Sequence, residues 1–426
     1  MTGLVINSII GSGIFGVPSE LTRLLGRASP IAMVFAAFGV AIIMAAIAEV
    51  ASQFPEPGGA YLYVRAAFGR FWGLEIGWFW LLTMIASGAA SANLFVLYLG
   101  SLLPSVAHGW ARALMLTALI ALPTIVNYRG VRGGANLSSL LVVAKLLPLG
   151  LLIVLGVTRF GQEFQFIHFS EITNPGWRPW LNAFLLLLMA YGGFENTLAP
   201  MGEIKEPRRT VPFGLAAGLL VSTIVYALLQ FVTVATIGTK ATDRPLADVA
   251  SVLLGNGGAM FVSVAIMIST YGWIVGGLLN APRVPYAFSE HGDLPSSFRR
   301  LHPQYHTPSV AILFYSVLVW ILALTGTFLW VAAVIGGSAA VLYAGMCAAL
   351  IRLRRSNPQA QALRMPWGNT LAVIGILICV LLLSRLQFRQ VLLMGVTAVL
   401  AAVNWWWAAH RASNASRDQK AIKVTA

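Results

Sequence analysis

NSIIGSGIFGVPSE, residues 7–20, lies inside the first apolar segment of the chain, and its Gly11, Ser12 and Gly13 interrupt what is otherwise a membrane-helix pattern. Glycine is a poor helix residue and permits backbone shapes that other residues avoid. A membrane helix unwound near its centre leaves N–H and C=O groups without intrahelical partners. Hydrocarbon cannot satisfy them, so they must face protein or a wet cavity. A discontinuous helix near the bilayer midplane is therefore a candidate binding site. The same glycines also suit a small-residue packing face against a neighbouring helix. Alone, the stretch supports both readings.

The surrounding composition sets the class. Of 426 residues, 58% are hydrophobic and 10% charged, with a mean hydropathy of +0.79. A soluble domain carries about 25% charged residues, so the chain reads as an all-α polytopic membrane protein. The net charge of +14 and pI near 10.3 come without a basic amphipathic run or zinc-ligand spacing. Nucleic acid is therefore not expected as a partner; a positive-inside bias between spans accounts for the charge. Cys347 and Cys379 both fall within apolar runs and imply neither a disulfide framework nor a metal cluster. No basic leader or small-residue cleavage site precedes the motif, so no cleavable signal is expected.

Apolar runs of about 17–25 residues give twelve spans. They fall near 3–26, 31–54, 72–102, 110–128, 136–157, 178–202, 213–238, 248–279, 308–326, 329–351, 367–385 and 390–409. The third and eighth are long enough to tilt or project. With the N-terminus inside, eighteen Lys and Arg fall on the cytoplasmic side and nine outside, leaving Lys145 within a span. That asymmetry places both termini in the cytoplasm of a cell-membrane protein. Residues 411–426 form a polar cytoplasmic tail, expected to be disordered.

The sixth span carries a second interruption, LLLLMAYGGFENTLAP (185–200), with Gly192 and Gly193 mid-span and Glu195 just beyond. Two broken helices five spans apart point to two inverted five-helix repeats with a site at their interface. Repeat one covers about 1–157 and repeat two about 178–353, within a transporter domain of 1–410. Helices 11 and 12, about 367–409, fall outside the repeats.

Four ionisable residues lie within spans: Glu49, Glu75, Lys145 and Glu195. A charge at the bilayer centre costs about 2.5–3.5 kcal/mol on insertion scales, so each needs a partner or a wet path. Glu75 lies near a cytoplasmic end and reads as solvated or Arg-paired; Glu49 reads as structural. Lys145 sits among Leu, Val and Ala near mid-span. Two roles suit it, a fixed cation tying helices together or a titrating group that couples protons to transport. A salt bridge to Glu195 or Glu49 is the structural alternative to both.

Further stretches carry a resemblance: AEVASQFPEPGGAYLYVRAAFGRFWGLEIGW (48–78), NYRGVRGGANLSSLLVVAKLLPLG (127–150), EIKEPRRTVP (203–212), RVPYAFSEHGDLPSSFRRLHPQYHTPSVA (283–311) and RLRRSNPQAQALRMPWG (352–368). With IIGSGIFGVP and YGGFENTLAP, the chain resembles an amino-acid permease of the amino acid–polyamine–organocation (APC) superfamily over nearly its whole length. The resemblance implies the LeuT-like fold, with broken helices 1 and 6 and two appended helices. It also implies sodium-independent secondary transport of amino acids by alternating access, as proton symport or as exchange.

On that resemblance the substrate carboxylate meets N–H groups at Gly11, Ser12, Gly13 and Ile14, where the dipole of the following half-helix favours an anion. The ammonium meets carbonyls around Ala190, Tyr191 and Gly193. The side-chain wall is expected from Ala86, Ser87, Gly88, Phe194, Asn196 and Trp273, with Met189 and Tyr191 as candidates for an outer gate. Lys145 matches a helix-five lysine that stands in for sodium, with oxygens expected from Ser269, Thr270 and carbonyls near Ile9 and Ile10. Glu195 joins this coupling group. Glu203, Glu206, Arg208 and Arg209 form an inner-gate loop, and residues 289–308 cap the cytoplasmic mouth.

Neutral amino acids are the expected substrates, with cationic amino acids or polyamines as the alternative. A non-transporting amino-acid sensor on the same fold is the alternative of another class. An ATP-driven pump is excluded because no G-x-x-x-x-G-K-[ST] occurs. No catalytic carboxylate, His or metal cluster suggests an enzyme, and no cofactor is expected.

Overall fold

The first apolar stretch folds as three helical pieces: α1 (Thr2–Ile9), α2 (Gly13–Gly16) and α3 (Pro18–Leu25). The Gly11 N–H reaches back only two residues, to the Ile9 carbonyl at 2.8 Å, a turn that no helix contains. Pro18, which has no N–H to donate, separates α2 from α3. The computed structural model describes residues 2–54, 59–130, 135–162, 175–198, 207–238, 240, 242–356 and 363–425.

The remaining long helices follow the apolar runs. They are α4 (Ser29–Ala51), α5 (Gly59–Phe68), α6 (Arg70–Leu102), α7 (Gly109–Tyr128), α8 (Ala135–Phe160) and α9 (Trp177–Tyr191). After a 3-10 turn at Phe194–Leu198 come α10 (Pro207–Ile237), α11 (Pro245–Asn280), α12 (Arg283–Glu290), α13 (Ser309–Thr325), α14 (Phe328–Ser356), α15 (Gly368–Leu383) and α16 (Phe388–Thr425). Among the described residues, seven helical stretches are long and apolar enough to cross a membrane. Three shorter apolar ones, Thr2–Gly16, Ser309–Thr325 and Gly368–Leu383, accompany them. The length of the eighth stretch is explained by a bend: α11 contains Gly255 at φ 71°, a left-handed conformation that glycine adopts freely.

One expectation fails at the end of the chain. Residues 411–425 continue α16 as helix. Extending a formed helix is cheap where nucleating one is not, and this stretch has no Gly or Pro to stop it.

Two polar clusters clasp the helices at loop ends. Glu49 on α4 is 1% exposed and takes Arg354 of α14 as a bidentate partner, Nε to Oε1 at 2.6 Å and Nη2 to Oε2 at 2.7 Å. The Met365 N–H donates to Glu49 Oε2 at 2.9 Å, and Arg354 donates to the Met365 carbonyl at 2.8 Å. Glu49 is thus structural, as its position suggests, and does not pair with Lys145. Asp293, fully buried after α12, accepts from Arg70 Nε and the Tyr61 hydroxyl, both at 2.5 Å, with Arg65 at 3.4 Å. Burial, then the Asp293 carboxylate, holds the Tyr61 hydroxyl above the ordinary tyrosine range. Asn404 of α16 donates to the Asp293 carbonyl at 2.6 Å.

The segment 289–308 therefore docks against α5, α6 and α16. Arg65 and Arg70 both turn to Asp293, so among the described residues Glu75 gains no arginine partner, and it is 9% exposed rather than solvated. Glu203 and Glu206 of the expected inner-gate loop, and the side chains of Arg208 and Arg209, lie outside the described residues.

Arg354→Leu leaves Glu49 as an uncompensated buried charge, and such losses cost about 3 kcal/mol or more. Thermal denaturation in detergent should show a clear drop in Tm for Arg354→Leu, partly restored by adding Glu49→Gln. An unchanged Tm in the single variant contradicts the clasp.

Candidate functional site

The two helix breaks touch. A Cβ placed on Gly13 would lie 2.7 Å from the Cα and 2.8 Å from the Cβ of Ala190, closer than atoms pack. Gly193, at φ +96°, is approached as closely: a Cβ there would lie 2.6 Å from the Ser8 carbonyl oxygen. Glycine is therefore required twice, at Gly13 for close approach and at Gly193 for both approach and backbone shape.

Each break frees main-chain groups, and side chains meet the carbonyls. Lys145 on α8 is 5% exposed and donates from Nζ to the Ile10 carbonyl at 2.9 Å and the Asn7 carbonyl at 3.2 Å. The Tyr226 hydroxyl on α10 lies 2.9 Å from the Ile9 carbonyl and 3.0 Å from the Ala190 carbonyl. Ser8 Oγ donates to the Gly193 carbonyl at 2.5 Å. On the donor side, the Gly193 N–H gives its hydrogen to Glu195 Oε2 at 2.9 Å. The Tyr343 hydroxyl donates to the same oxygen at 2.8 Å, and its ring stacks on Phe194 with centroids 5.3 Å apart. At the start of the next helical piece, the N–H groups of Ser12, Gly13 and Ile14 have no preceding turn to accept them. The arrangement thus caps carbonyls from within and leaves main-chain donors at the first break.

Most of the expected residues converge here. Gly11, Ser12, Gly13, Ile14, Ala190, Tyr191, Gly193, Phe194, Lys145 and Glu195 surround the two breaks, with Gly11 half-buried and Ser12 7% exposed. Tyr191 donates to the Met33 carbonyl of α4 at 3.0 Å and packs on Tyr226 at 5.1 Å. The sulfur of Met189 lies 3.3 Å from a Gly13 Cβ position, so Met189 belongs to the contact between the breaks. Asn196 accepts from Trp80 Nε1 at 3.1 Å.

Others fall differently. Gly88 faces α13, where a Cβ would lie 3.1 Å from Val319. Ser87 is half-buried and gives its hydroxyl to the Thr83 carbonyl of its own helix at 2.8 Å. Trp273 is half-buried on α11. Ser269 is 5% exposed, and Thr270 donates to the Ile266 and Met267 carbonyls at 2.9 and 3.1 Å. Neither accepts a hydrogen bond from Lys145, whose ammonium turns to the Asn7 and Ile10 carbonyls instead. Of the carbonyls expected for Lys145, Ile10 is used and Ile9 goes to Tyr226. Asn7, not singled out in the sequence, supplies the second oxygen.

Sequence reasoning missed Tyr226, Tyr343 and Ser8. The available signal was a tyrosine within an apolar span, since a buried hydroxyl must find an acceptor and a broken helix offers one.

This geometry can be set beside known proteins. The model of the family described as "Amino acid permease" matches residues 1–410. The chain belongs to that family. It is 30% identical over 337 residues to the serine/threonine exchanger SteT of Bacillus subtilis, covering 75% of this chain and 74% of that protein. It is 26% identical over 411 residues to the glutamate/serine transporter AimA of the same organism, covering 90% and 75%. A probable polyamine transporter of Arabidopsis thaliana is 29% identical over 345 residues, covering 78% and 68%. This family and these relatives are transporters, not enzymes.

The glycines of the first break differ in what an added methyl meets. Gly13→Ala forces α2 away from Ala190, whereas at Gly11 the nearest atom is 3.9 Å from the Cβ position. Gly13→Ala should lower Tm and abolish substrate binding, and Gly11→Ala should keep a near-wild-type Tm, both read by thermal denaturation with and without amino acid. Equal effects at the two positions contradict the assigned contact.

Proposed function

We propose that the protein is a sodium-independent secondary transporter of amino acids that works by alternating access in the cell membrane. In this reading twelve spans form a LeuT-like five-plus-five inverted repeat, about 1–157 and 178–353, with helices 11 and 12 appended. Both termini face the cytoplasm. The observation that carries the reading is the contact of two helix breaks, Gly13 against Ala190, with main-chain donors of the first break beside it. A zwitterion suits such a site: its carboxylate meets N–H groups of Ser12, Gly13 and Ile14 at a helix start. Its ammonium meets the Ala190 and Tyr191 carbonyls.

The coupling reading rests on Lys145. Its ammonium bridges two carbonyls of the first break, the task that a bound sodium ion performs in a sodium-coupled carrier. An ammonium fixed there removes the need for sodium. Proton symport and amino-acid exchange are the modes that follow, with Glu195 as the second ionisable group at the breaks.

Neutral substrates fit best. The carboxylate at the breaks, Glu195, is already engaged by Gly193 and Tyr343, so it is not free to hold a cationic side chain. The two bacterial relatives described above are named for serine among their substrates, which makes serine the first amino acid to test. The polyamine alternative draws on the plant relative.

Uptake of a labelled amino-acid panel into proteoliposomes tests the reading. Neutral amino acids should accumulate with an imposed proton gradient or with internal amino acid, equally in sodium and choline buffers. Lys145→Ala should lower uptake by about tenfold or more, as loss of a buried charged partner implies. Silence across the panel with binding retained indicates a sensor instead, and full pH-dependent transport by Lys145→Ala removes the lysine from coupling.

A further inference from the structure

The helical piece that follows the first break is short and has a weak point at each end. α3 (Pro18–Leu25) begins at Pro18, which has no N–H to join it to α2. It ends at the 3-10 turn Gly26–Ala28, where Gly26 takes φ 55°. Gln230, fully buried on α10, reaches both ends at once. Its Nε2 lies 3.1 Å from the Pro18 carbonyl, 2.9 Å from Thr22 Oγ1 and 2.9 Å from the Oγ of Ser29, the first residue of α4. The Thr22 hydroxyl is itself spent on the Pro18 carbonyl at 2.9 Å, and the Ser29 hydroxyl on the Gly26 carbonyl at 2.8 Å. All three groups thus present acceptors to the amide, which fixes its nitrogen toward them.

The amide is poorly served on its other side. Its two hydrogens are shared among three acceptors, and among the described residues the buried Gln230 Oε1 has no hydrogen-bond partner. An unpaired buried acceptor opposes the arrangement that buries it. Glu49 differs, since both of its oxygens are met by donors. A joint with every atom paired stays shut, whereas one that closes against a standing penalty is suited to open.

We propose that Gln230 is the latch of this half-helix, a positioning residue whose amide holds α3 over the first break and whose release lets α3 turn on Pro18 and Gly26 to admit the amino acid. The inference rests on the reading that residues 18–25 lie on the outer side of a site at Ser12, Gly13 and Ile14. Ser12 is 7% exposed, so the break is covered in the latched arrangement. A second tie runs from the Thr242 main-chain N–H to Ser19 Oγ at 2.9 Å. Substitutions at Gln230 remove no atom of that tie and so report on the amide.

Labelling of a cysteine at the break tests the latch. Ser12→Cys keeps the N–H proposed for the carboxylate, and the native Cys347 and Cys379 are fully buried, so a membrane-impermeant thiol reagent reads position 12. The reagent is added to right-side-out and to inside-out membrane vesicles free of amino acid. Relative to Ser12→Cys alone, adding Gln230→Leu should speed labelling from the outer face by about tenfold or more, the factor for two net hydrogen bonds of ordinary strength. Labelling from the inner face should not rise. Gln230→Asn keeps a buried amide but is one methylene shorter, and it should show the same asymmetry, which covers the case in which Gln230→Leu fails to fold. Thr22→Val leaves the Pro18 carbonyl and the Ser29 hydroxyl for the two amide hydrogens, so outer labelling should stay within about threefold. Unchanged outer labelling in the Gln230 variants overturns the latch, as does an equal rise on both faces, the mark of general loosening. Protection of position 12 by none of the neutral amino acids overturns the site reading instead.

Discussion

A backbone that leaves its helix inside an apolar interior must find other partners for its polar groups, and this constraint governs the centre of the molecule. The carbonyls of Asn7, Ile9, Ile10, Ala190 and Gly193 are met by Lys145, Tyr226 and Ser8. Leaving a buried polar group unmade costs about 1–3 kcal/mol. Ile9 also accepts the Gly11 N–H, and loss of the other four would still be comparable to the net stability of a folded domain, about 5–15 kcal/mol. The caps are therefore conditions for the breaks to exist. On the proposed reading they also fix chemical character: with its carbonyls served from within, the first break is left with main-chain donors at Ser12, Gly13 and Ile14 for a ligand.

The clasps at the loop ends answer to a related rule. Glu49 and Asp293 are both buried carboxylates, and each is surrounded by donors from elements far apart in sequence. Glu49 joins α4 to α14 and to the stretch before α15, and Asp293 joins α5, α6 and α16. A buried charge is tolerated only with excellent pairing, so these residues hold helix ends in a fixed relation around the breaks. Gly368 shows how tight that fit is: a Cβ there would lie 2.2 Å from Arg354 Nη2.

What was legible in the sequence follows from the same physics. Gly11-Ser12-Gly13 and Gly192-Gly193 could be read because glycine within an apolar run is a local signal. Lys145 could be read because a charge there is costly. Partners were not legible, since they depend on which helix faces which. Gly88 shares a small-residue stretch with Ser87, yet faces α13 and Val319. Thr270 has the right atom for Lys145, yet the ammonium turns to the Asn7 and Ile10 carbonyls. Tyr226 looks like an ordinary span residue until the fold brings its hydroxyl to two freed carbonyls. The extension of α16 past residue 410 was hidden by composition, because polar residues describe a tail equally well in coil or helix.

Main-chain recognition of both ends of an amino acid is tested most directly by competition with end-blocked analogues. Inhibition of labelled serine uptake should persist for amino acids altered only in a small neutral side chain. It should vanish for serine methyl ester, which has no carboxylate for the donors at Ser12, Gly13 and Ile14, and for N-acetylserine, which has no ammonium for the carbonyls of the second break. Competition by the ester or the N-acetyl compound as strong as that of serine itself would contradict recognition by the paired helix breaks.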